Sequence, residues 1–174
     1  DQHELKKTLE MSLELPTALT GEQKLNKRWL SYYQKQLPQL VTDTLQPYGY
    51  FGSQTRSEFM HPAPDRQVLK VQVLAGEPIR ITQLDLRISG PGSQYDDVSK
   101  LVQNFPLKRE DVLRQDIYEQ GKALLLQDVV ELGFLDAQFS TKQIRVYLGD
   151  YRAEISLYLD TGVRYAFGQT IFTT

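Results

Sequence analysis

The residues able to do chemistry are few, and their spacing argues against a reaction. The only imidazoles are His3 and His61, and the chain has no cysteine. A metal centre needs several His, Cys or carboxylate ligands at short, regular spacing, and neither His lies at such a spacing with the other. His3 stands near the start of the chain, and His61 lies in the proline-rich stretch His61-Pro62-Ala63-Pro64-Asp65. Both read as solvated loop residues. Asp96-Asp97 and Glu110-Asp111 are adjacent carboxylate pairs. Neighbours on a helix point in different directions, so neither pair forms a facing acid and base. They read as helix starts, where acidic groups suit the dipole. Ser89-Gly90-Pro91-Gly92-Ser93 lacks the fuller glycine pattern and the Lys-Ser/Thr of a phosphate cradle, so it reads as a turn. No nucleophile–base set, metal cluster or cofactor loop emerges. The sequence points away from an enzyme and towards a chain without cofactor.

Binding surfaces are the next possibility. Ten tyrosines could stack bases or sugars, but Tyr33, Tyr48 and Tyr165 fall on apolar stripes or at helix ends and read as packing residues. Tyr158 falls on the polar face of its segment and is the better contact candidate. Lys24, Lys27 and Arg28 form a small basic cluster that reads as a solvated helix face. With 20 basic against 22 acidic residues the formal net charge is −2, which offers no basic excess to nucleic acid or an anionic membrane. A nucleic-acid-binding α+β module of the KH kind also needs a Gly-x-x-Gly loop between its helices. The corresponding stretch Asn104-Phe105-Pro106-Leu107-Lys108-Arg109 has no glycine. With 40% hydrophobic and 24% charged residues the chain has the composition of a folded domain. No apolar run approaches the roughly 20 residues of a membrane-spanning helix. The chain opens Asp-Gln-His-Glu and closes on the strand-like Gln169–Thr174, as an excised part of a longer polypeptide would.

The elements that must position any site repeat. Leu40, Val41, Leu45, Tyr48, Gly49, Tyr50 and Gln54 recur in type 84 residues later as Leu124, Leu125, Val129, Leu132, Gly133, Phe134 and Gln138. Gly76, Ile79, Ile81 and Gln83 recur after 86 residues as Gly162, Tyr165, Phe167 and Gln169. In the first copy Leu30, Tyr33, Leu37, Leu40, Val41 and Leu45 step by three and four, the stripe of an amphipathic helix. Pro38 inside it predicts a kink or two pieces, at a cost of about 3 kcal/mol. In the second copy Ile117, Gly121, Leu124, Leu125 and Leu132 mark the matching helix, with Gly121 allowing a close approach to the sheet. Gly49 and Gly133, each flanked by an aromatic residue, read as helix stops in the left-handed conformation.

Strands follow each stop. Leu69, Val71 and Val73 alternate with polar residues, as do Ala153, Ile155, Leu157 and Leu159, so both segments read as half-buried strands. Gly149-Asp150 marks a hairpin, and His61–Asp65 a longer turn. Ile79–Ile88 reads as an opening strand with a bulge near Gln83. The second copy then runs strand, helix, helix, strand, strand. The first copy lacks an opening strand. The fold class expected is α+β, with tandem β-α-α-β-β modules, each a small three-stranded mixed sheet packed under two helices. The expected bounds are 1–76 for the first module, 77–162 for the second, and 163–174 for the opening strand of a third.

This order, with its Gly-aromatic helix stops, resembles the polypeptide-transport-associated (POTRA) domains that precede the β-barrel of outer-membrane assembly factors. The stretch Arg114-Gln115-Asp116-Ile117-Tyr118 through Leu132-Gly133-Phe134, then Ala153–Leu159, Gly162 and Tyr165-Ala166-Phe167-Gly168, is most similar to the second module of TamA-type proteins. The resemblance implies a periplasmic region of a protein anchored in the outer membrane by a β-barrel. It implies partners that are unfolded outer-membrane proteins or a partner assembly subunit, held by adding a strand to a sheet edge. A two-partner secretion transporter or a division protein would carry the same fold. The implied edges map to about Gly52–Met60 and Ala137–Leu148. Gln54, Arg56 and Glu58, and Gln138, Ser140 and Lys142, are the expected alternating positions beside them.

Overall fold

The computed structural model describes residues 2–15, 27–63, 66–166 and 168. The chain divides into two compact units, residues 1–79 and residues 80–174. The residues from 169 onward and Phe167, expected to open a third module, lie outside the described residues, as do Lys24, Pro64 and Asp65. Residues 163–166 carry no strand.

The first unit holds α1 (Gln2–Ser12), α2 (Lys27–Leu45), β1 (Gln54–Ala63) and β2 (Arg66–Leu74). Pro38 does not split α2, which is one helix of 19 residues. Proline lacks the N–H that would bond one turn back, yet Pro38 is on the exposed face. Leu37, Val41 and Leu45 beside it are fully buried. Burying each such side chain contributes about 1.5–3 kcal/mol, so together they outweigh the cost of one proline. A 3₁₀ turn (Gln46–Tyr48) ends α2, and Gly49 follows at φ 89°. There the Gly49 N–H donates to the Gln46 carbonyl at 2.9 Å, and the Tyr50 N–H to the Leu45 carbonyl at 3.1 Å. β1 and β2 pair antiparallel as a two-stranded sheet. β1 runs through His61–Ala63, so these three residues of the turn expected at 61–65 are strand.

The second unit holds β3 (Arg80–Ser89), α3 (Asp96–Gln103), α4 (Gln115–Glu131), β4 (Gln138–Tyr147) and β5 (Arg152–Asp160). This is the β-α-α-β-β order, and its sheet runs β3-β5-β4. β3 is parallel to β5 and β4 antiparallel to it, so the three-stranded sheet is mixed. β5 in the centre alternates strictly: Ala153, Ile155, Leu157 and Leu159 are at most 1% exposed. Val98 of α3, and Tyr118, Leu125 and Val129 of α4, are buried as well. Leu124, expected on the buried stripe, is 56% exposed, because the buried stripe of α4 passes through Tyr118, Gly121, Leu125 and Val129 instead.

Three local expectations are corrected. Gly121 faces the loop after α3 and not the sheet: a Cβ there would stand 2.6 Å from Pro106 Cγ. Glu110 and Asp111 do not start a helix, since α4 begins at Gln115. They form a turn pinned to β3, the Glu110 N–H donating to the Ile81 carbonyl at 2.8 Å and the Ile81 N–H to the Asp111 carbonyl at 2.9 Å. Tyr165 is not packed away; it is 48% exposed.

Candidate polypeptide-binding edges

A strand at the border of a sheet leaves one row of N–H and C=O groups without a strand partner. Among the described residues β4 pairs only with β5, and β1 only with β2. Both therefore lack a strand partner on one side, although on β1 the Ser57 carbonyl accepts the Gln34 Nε2 at 3.1 Å, and both carry the residues singled out from sequence. Side chains of a strand project to its faces while the backbone forms the edge, so register decides what flanks each edge.

On β1, Gln54 lies opposite Leu74, Arg56 opposite Gln72, and Glu58 opposite Lys70. All three point to the exposed face, while Thr55, Ser57 and Phe59 are half-buried on the other. Glu58 pairs with Lys70 at 3.5 Å. Gln54 and Arg56 line a shallow depression of about 400 Å³ with Gln72, Val73 and Leu74. Arg56 and Glu58 line another, of about 510 Å³, with Ser57, Lys70 and Gln72. The first trio thus shares one face.

The second trio does not. The register of β4 against β5 shifts between Phe139 and Thr141, which makes Ser140 an extra residue in a β-bulge. Gln138 lies opposite Asp160, on the outer face of the sheet. Lys142 lies opposite Leu157, whose side chain belongs to the core face. The bulge has therefore moved Lys142 to the face opposite Gln138, although its side chain is exposed. The Ser140 hydroxyl donates to the Tyr158 carbonyl at 3.3 Å, tying the bulge to the central strand. A simple count of alternate residues could not see this insertion.

The outer face of the second sheet is laced with ion pairs. The Arg87 guanidinium donates to both carboxylate oxygens of Asp85, at 2.8 and 2.7 Å, and lies 5.0 Å from the Tyr158 ring centroid. The Tyr158 hydroxyl donates to Asp85 at 2.9 Å. Tyr158, read from sequence as a contact residue, is thus half-buried and engaged within its own sheet. The hydrogen bond from Arg87 holds the Asp85 carboxyl below the usual carboxylate range, helped by Tyr158 and opposed by partial burial. Arg152 similarly donates to Glu154 at 2.6 Å and lies 3.8 Å from the Tyr147 ring, and the Tyr147 hydroxyl reaches Glu154 at 3.1 Å. These bonds, that from Arg152 foremost, hold the Glu154 carboxyl low as well.

The helix stop of this unit carries a strap not anticipated from sequence. Gly133 has φ 97°. Its carbonyl accepts the Tyr165 N–H at 2.7 Å, and the Leu132 carbonyl accepts Arg164 Nε at 2.8 Å. Arg164 also lies 5.1 Å from the Tyr95 ring and 6.0 Å from the Phe134 ring. The Tyr165 hydroxyl donates to Asp136 at 2.7 Å, which raises the Tyr165 pKa. The only sequence signal was the recurrence of a residue three places after Gly76 and Gly162.

Neither edge brings together a nucleophile, a base and an oxyanion donor; what both offer is backbone hydrogen bonding to an extended chain. Residues 2–75 match the family model of the POTRA domain, TamA domain 1. Over these residues the chain is similar to the POTRA family. The second unit repeats the β-α-α-β-β order expected of a POTRA module. Similar solved structures include Haemophilus influenzae BamA POTRA3-5, at 17% identity over 91% of this chain and 61% of that one, with a TM-score of 0.45. POTRA1-2 of the periplasmic domain of Omp85 from Anabaena is similar at 12% identity over 93% and 87% of the two chains, TM-score 0.40. The N-terminal domain of Omp85 from Thermosynechococcus elongatus is similar at 13% identity, over 90% of this chain and 56% of that one, TM-score 0.39. The chain thus spans 61% of the BamA fragment's length. No described helix is long and apolar enough to cross a membrane.

Proposed function

We propose that this chain is the periplasmic POTRA region of an outer-membrane β-barrel assembly or translocation protein, and that it holds client polypeptide or a partner subunit by strand addition. The observation that carries this reading is the free edge of β4, a strand of ten residues with a single strand partner among the described residues. An extended segment laid along it gains main-chain hydrogen bonds whatever its sequence, which suits a carrier of many clients. The free edge of β1 offers a second such row. In this reading modules 1–76 and 77–162 act in tandem, and residues from 163 open a third. Gln54, Arg56 and Glu58 flank the first edge. Gln138 and Lys142 flank the second on opposite faces, with the Ser140 bulge between them.

The test is hydrogen exchange of the chain with and without an unfolded outer-membrane β-barrel polypeptide. New protection confined to Gln54–Ala63 or Gln138–Tyr147 is the expected result. Binding with protection elsewhere would overturn the edge mechanism and leave polypeptide binding standing. Absence of binding would overturn the client reading.

A further inference from the structure

We infer that the groove between β3 and α3 is a binding site for an extended polypeptide segment that runs antiparallel to β3 and carries acidic residues at its C-terminal end. The site is at the border of the sheet opposite β4, since the strand order is β3-β5-β4. It adds a charge-selecting site to the proposed function and does not depend on strand addition at β1 or β4.

The outer row of β3 is partly filled by its own chain. The Thr161 N–H donates to the Ser89 carbonyl at 3.1 Å, so the backbone groups of Ser89 point towards β5. Backbone groups alternate in direction along a paired strand, so those of Leu84, Leu86 and Ile88 point away from β5. Ile81, before the bulge, points away as well, and its groups are taken. The Glu110 N–H donates to the Ile81 carbonyl at 2.8 Å, and the Ile81 N–H donates to the Asp111 carbonyl at 2.9 Å. Arg80 and Val112 form an antiparallel bridge beside them. Glu110, at φ 75°, is where the chain turns into this row. From Gln83 onward β3 has no second strand partner among the described residues. The chain thus starts a strand beside β3 and leaves the rest of the row unfilled.

The unfilled row borders a groove of about 580 Å³. Leu84 and Leu86 of β3 and Val102 of α3 line it and are only half-buried. Ile155 and Leu157, opposite Leu84 and Leu86 on the central strand, are at most 1% exposed. Apolar residues of an added strand would complete the burial on the β3 side.

Charge names the occupant. Lys108 and Arg109 also line the groove and are exposed, and among the described residues no Asp or Glu lines it, in a chain of formal net charge −2. Lys108 has no ion pair among the described residues. Arg109 pairs with Glu110 at 3.3 Å, but both side chains are at least 70% exposed, so solvent weakens the pair. Arg109 directly precedes the residue that bonds Ile81, so the two cations stand at the start of the unfilled row. Antiparallel pairing is the more stable sense and the one the chain itself uses there. A guest in that sense brings its C-terminal end to Lys108 and Arg109, where acidic side chains meet both.

The test uses two capped peptides of alternating valine and threonine, one ending in a pair of glutamates and its twin ending in a pair of lysines. Amide hydrogen exchange of the chain is followed residue by residue. At saturation the glutamate peptide is expected to slow exchange at Leu84 and Leu86 by about tenfold. In low salt it is expected to bind roughly three- to tenfold more tightly than its lysine twin. The double variant Lys108→Glu, Arg109→Glu, at two exposed positions, is expected to reverse that preference. Equal binding of the two peptides, protection confined to Gln138–Tyr147, or absence of protection at Leu84 and Leu86 would each overturn the inference. So would a double variant that keeps the parent's preference. Protection of β1 or β4 by an unfolded β-barrel polypeptide, or its failure, bears on the proposed function alone.

Discussion

The backbone N–H of Tyr165 donates to the carbonyl of Gly133 at 2.7 Å, and Ile79 makes the same bond to Gly49 at 2.8 Å. The two bonds occupy equivalent places in the repeat. In each unit the residue three positions after a glycine that follows the last strand is tied back to the glycine that stops the long helix. The helix stop is thus also a docking point for the chain as it leaves the sheet, which explains why a glycine at φ 97° or 89° recurs there. The left-handed region costs glycine nothing and other residues about 1 kcal/mol or more.

Gly133→Ala tests the strap. At Gly133 an added Cβ would stand 2.7 Å from the Tyr165 carbonyl oxygen, and backbone cannot move aside cheaply. Strain at the positive φ and this clash are together expected to destabilise the second unit by about 1–3 kcal/mol. Gly149→Ala, where a Cβ meets nothing within 4 Å, is expected to change stability by less than about 0.5 kcal/mol. Denaturant unfolding of both variants checks the contrast, and equal midpoints would refute it.

Tyr118 offers a prediction of opposite sign. Its ring is buried edge-on to Phe105, with centroids 6.4 Å apart, yet its hydroxyl is buried without a hydrogen-bond partner. Burial, with the Glu119 charge behind it, raises its pKa. Tyr118→Phe keeps the ring and removes the unsatisfied group, so it is expected to be neutral or stabilising by up to about 1 kcal/mol. Tyr118→Ala removes the ring and is expected to cost about 3–5 kcal/mol. Thermal unfolding of the pair separates the two contributions.

The sequence made the second unit readable because its signals agree. β5 alternates without a break, α4 ends at a glycine, and the bulge near Gln83 shows as a phase change in the apolar pattern, matching the register shift between Ile81 and Gln83. Local pattern failed where long-range packing decides. Pro38 is tolerated because Leu37, Val41 and Leu45 are buried beside it; spacing marked that stripe, but the proline rule alone does not weigh its burial against the lost hydrogen bond. The Ser140 bulge does leave a phase change in the apolar pattern, from Phe139 to Ile144 and Val146, but a count of alternate polar residues from Gln138 to Lys142 passes over it. Likewise Glu110 looked like a helix start, while pairing with Ile81 of β3 makes it a turn.

Acid should weaken the fold through three carboxylates. The Arg87 hydrogen bond lowers the Asp85 pKa, that from Arg114 lowers Asp116, and that from Arg152 lowers Glu154. A folded pKa below the unfolded value contributes stability that is present above the unfolded pKa and lost as pH falls through the folded one. Unfolded carboxyls titrate near pH 4, so stability is expected to hold at neutral pH and fall below about pH 4. Asp116→Asn should flatten part of that fall. Its cost at pH 7 should stay below about 1 kcal/mol, since Asp116 is 42% exposed and Arg114 19%. Urea midpoints from pH 7 to pH 2.5 check this; an unchanged acid limb in the variant would refute it.

Ser140 ties the candidate edge to its protection. A long, flat, free edge invites pairing with another copy, and a bulge twists such an edge out of register with its own kind. β4 is ten residues long, and its bulge places Lys142 on the face opposite Gln138, so charge and twist both guard the edge. Deleting Ser140 restores regular alternation: Phe139 still faces Leu159, Thr141 still faces Tyr158, and the kink is gone. The fold is therefore expected to persist, with a near-unchanged far-ultraviolet circular dichroism spectrum, while the edge becomes flat. The deletion protein is expected to self-associate at concentrations where the parent chain does not, as read by sedimentation velocity. Adding Lys142→Thr to the deletion should strengthen the association further, because it removes one of the two charges on β4, leaving Arg145. A deletion protein that folds and sediments like its parent would show that the bulge does not protect β4.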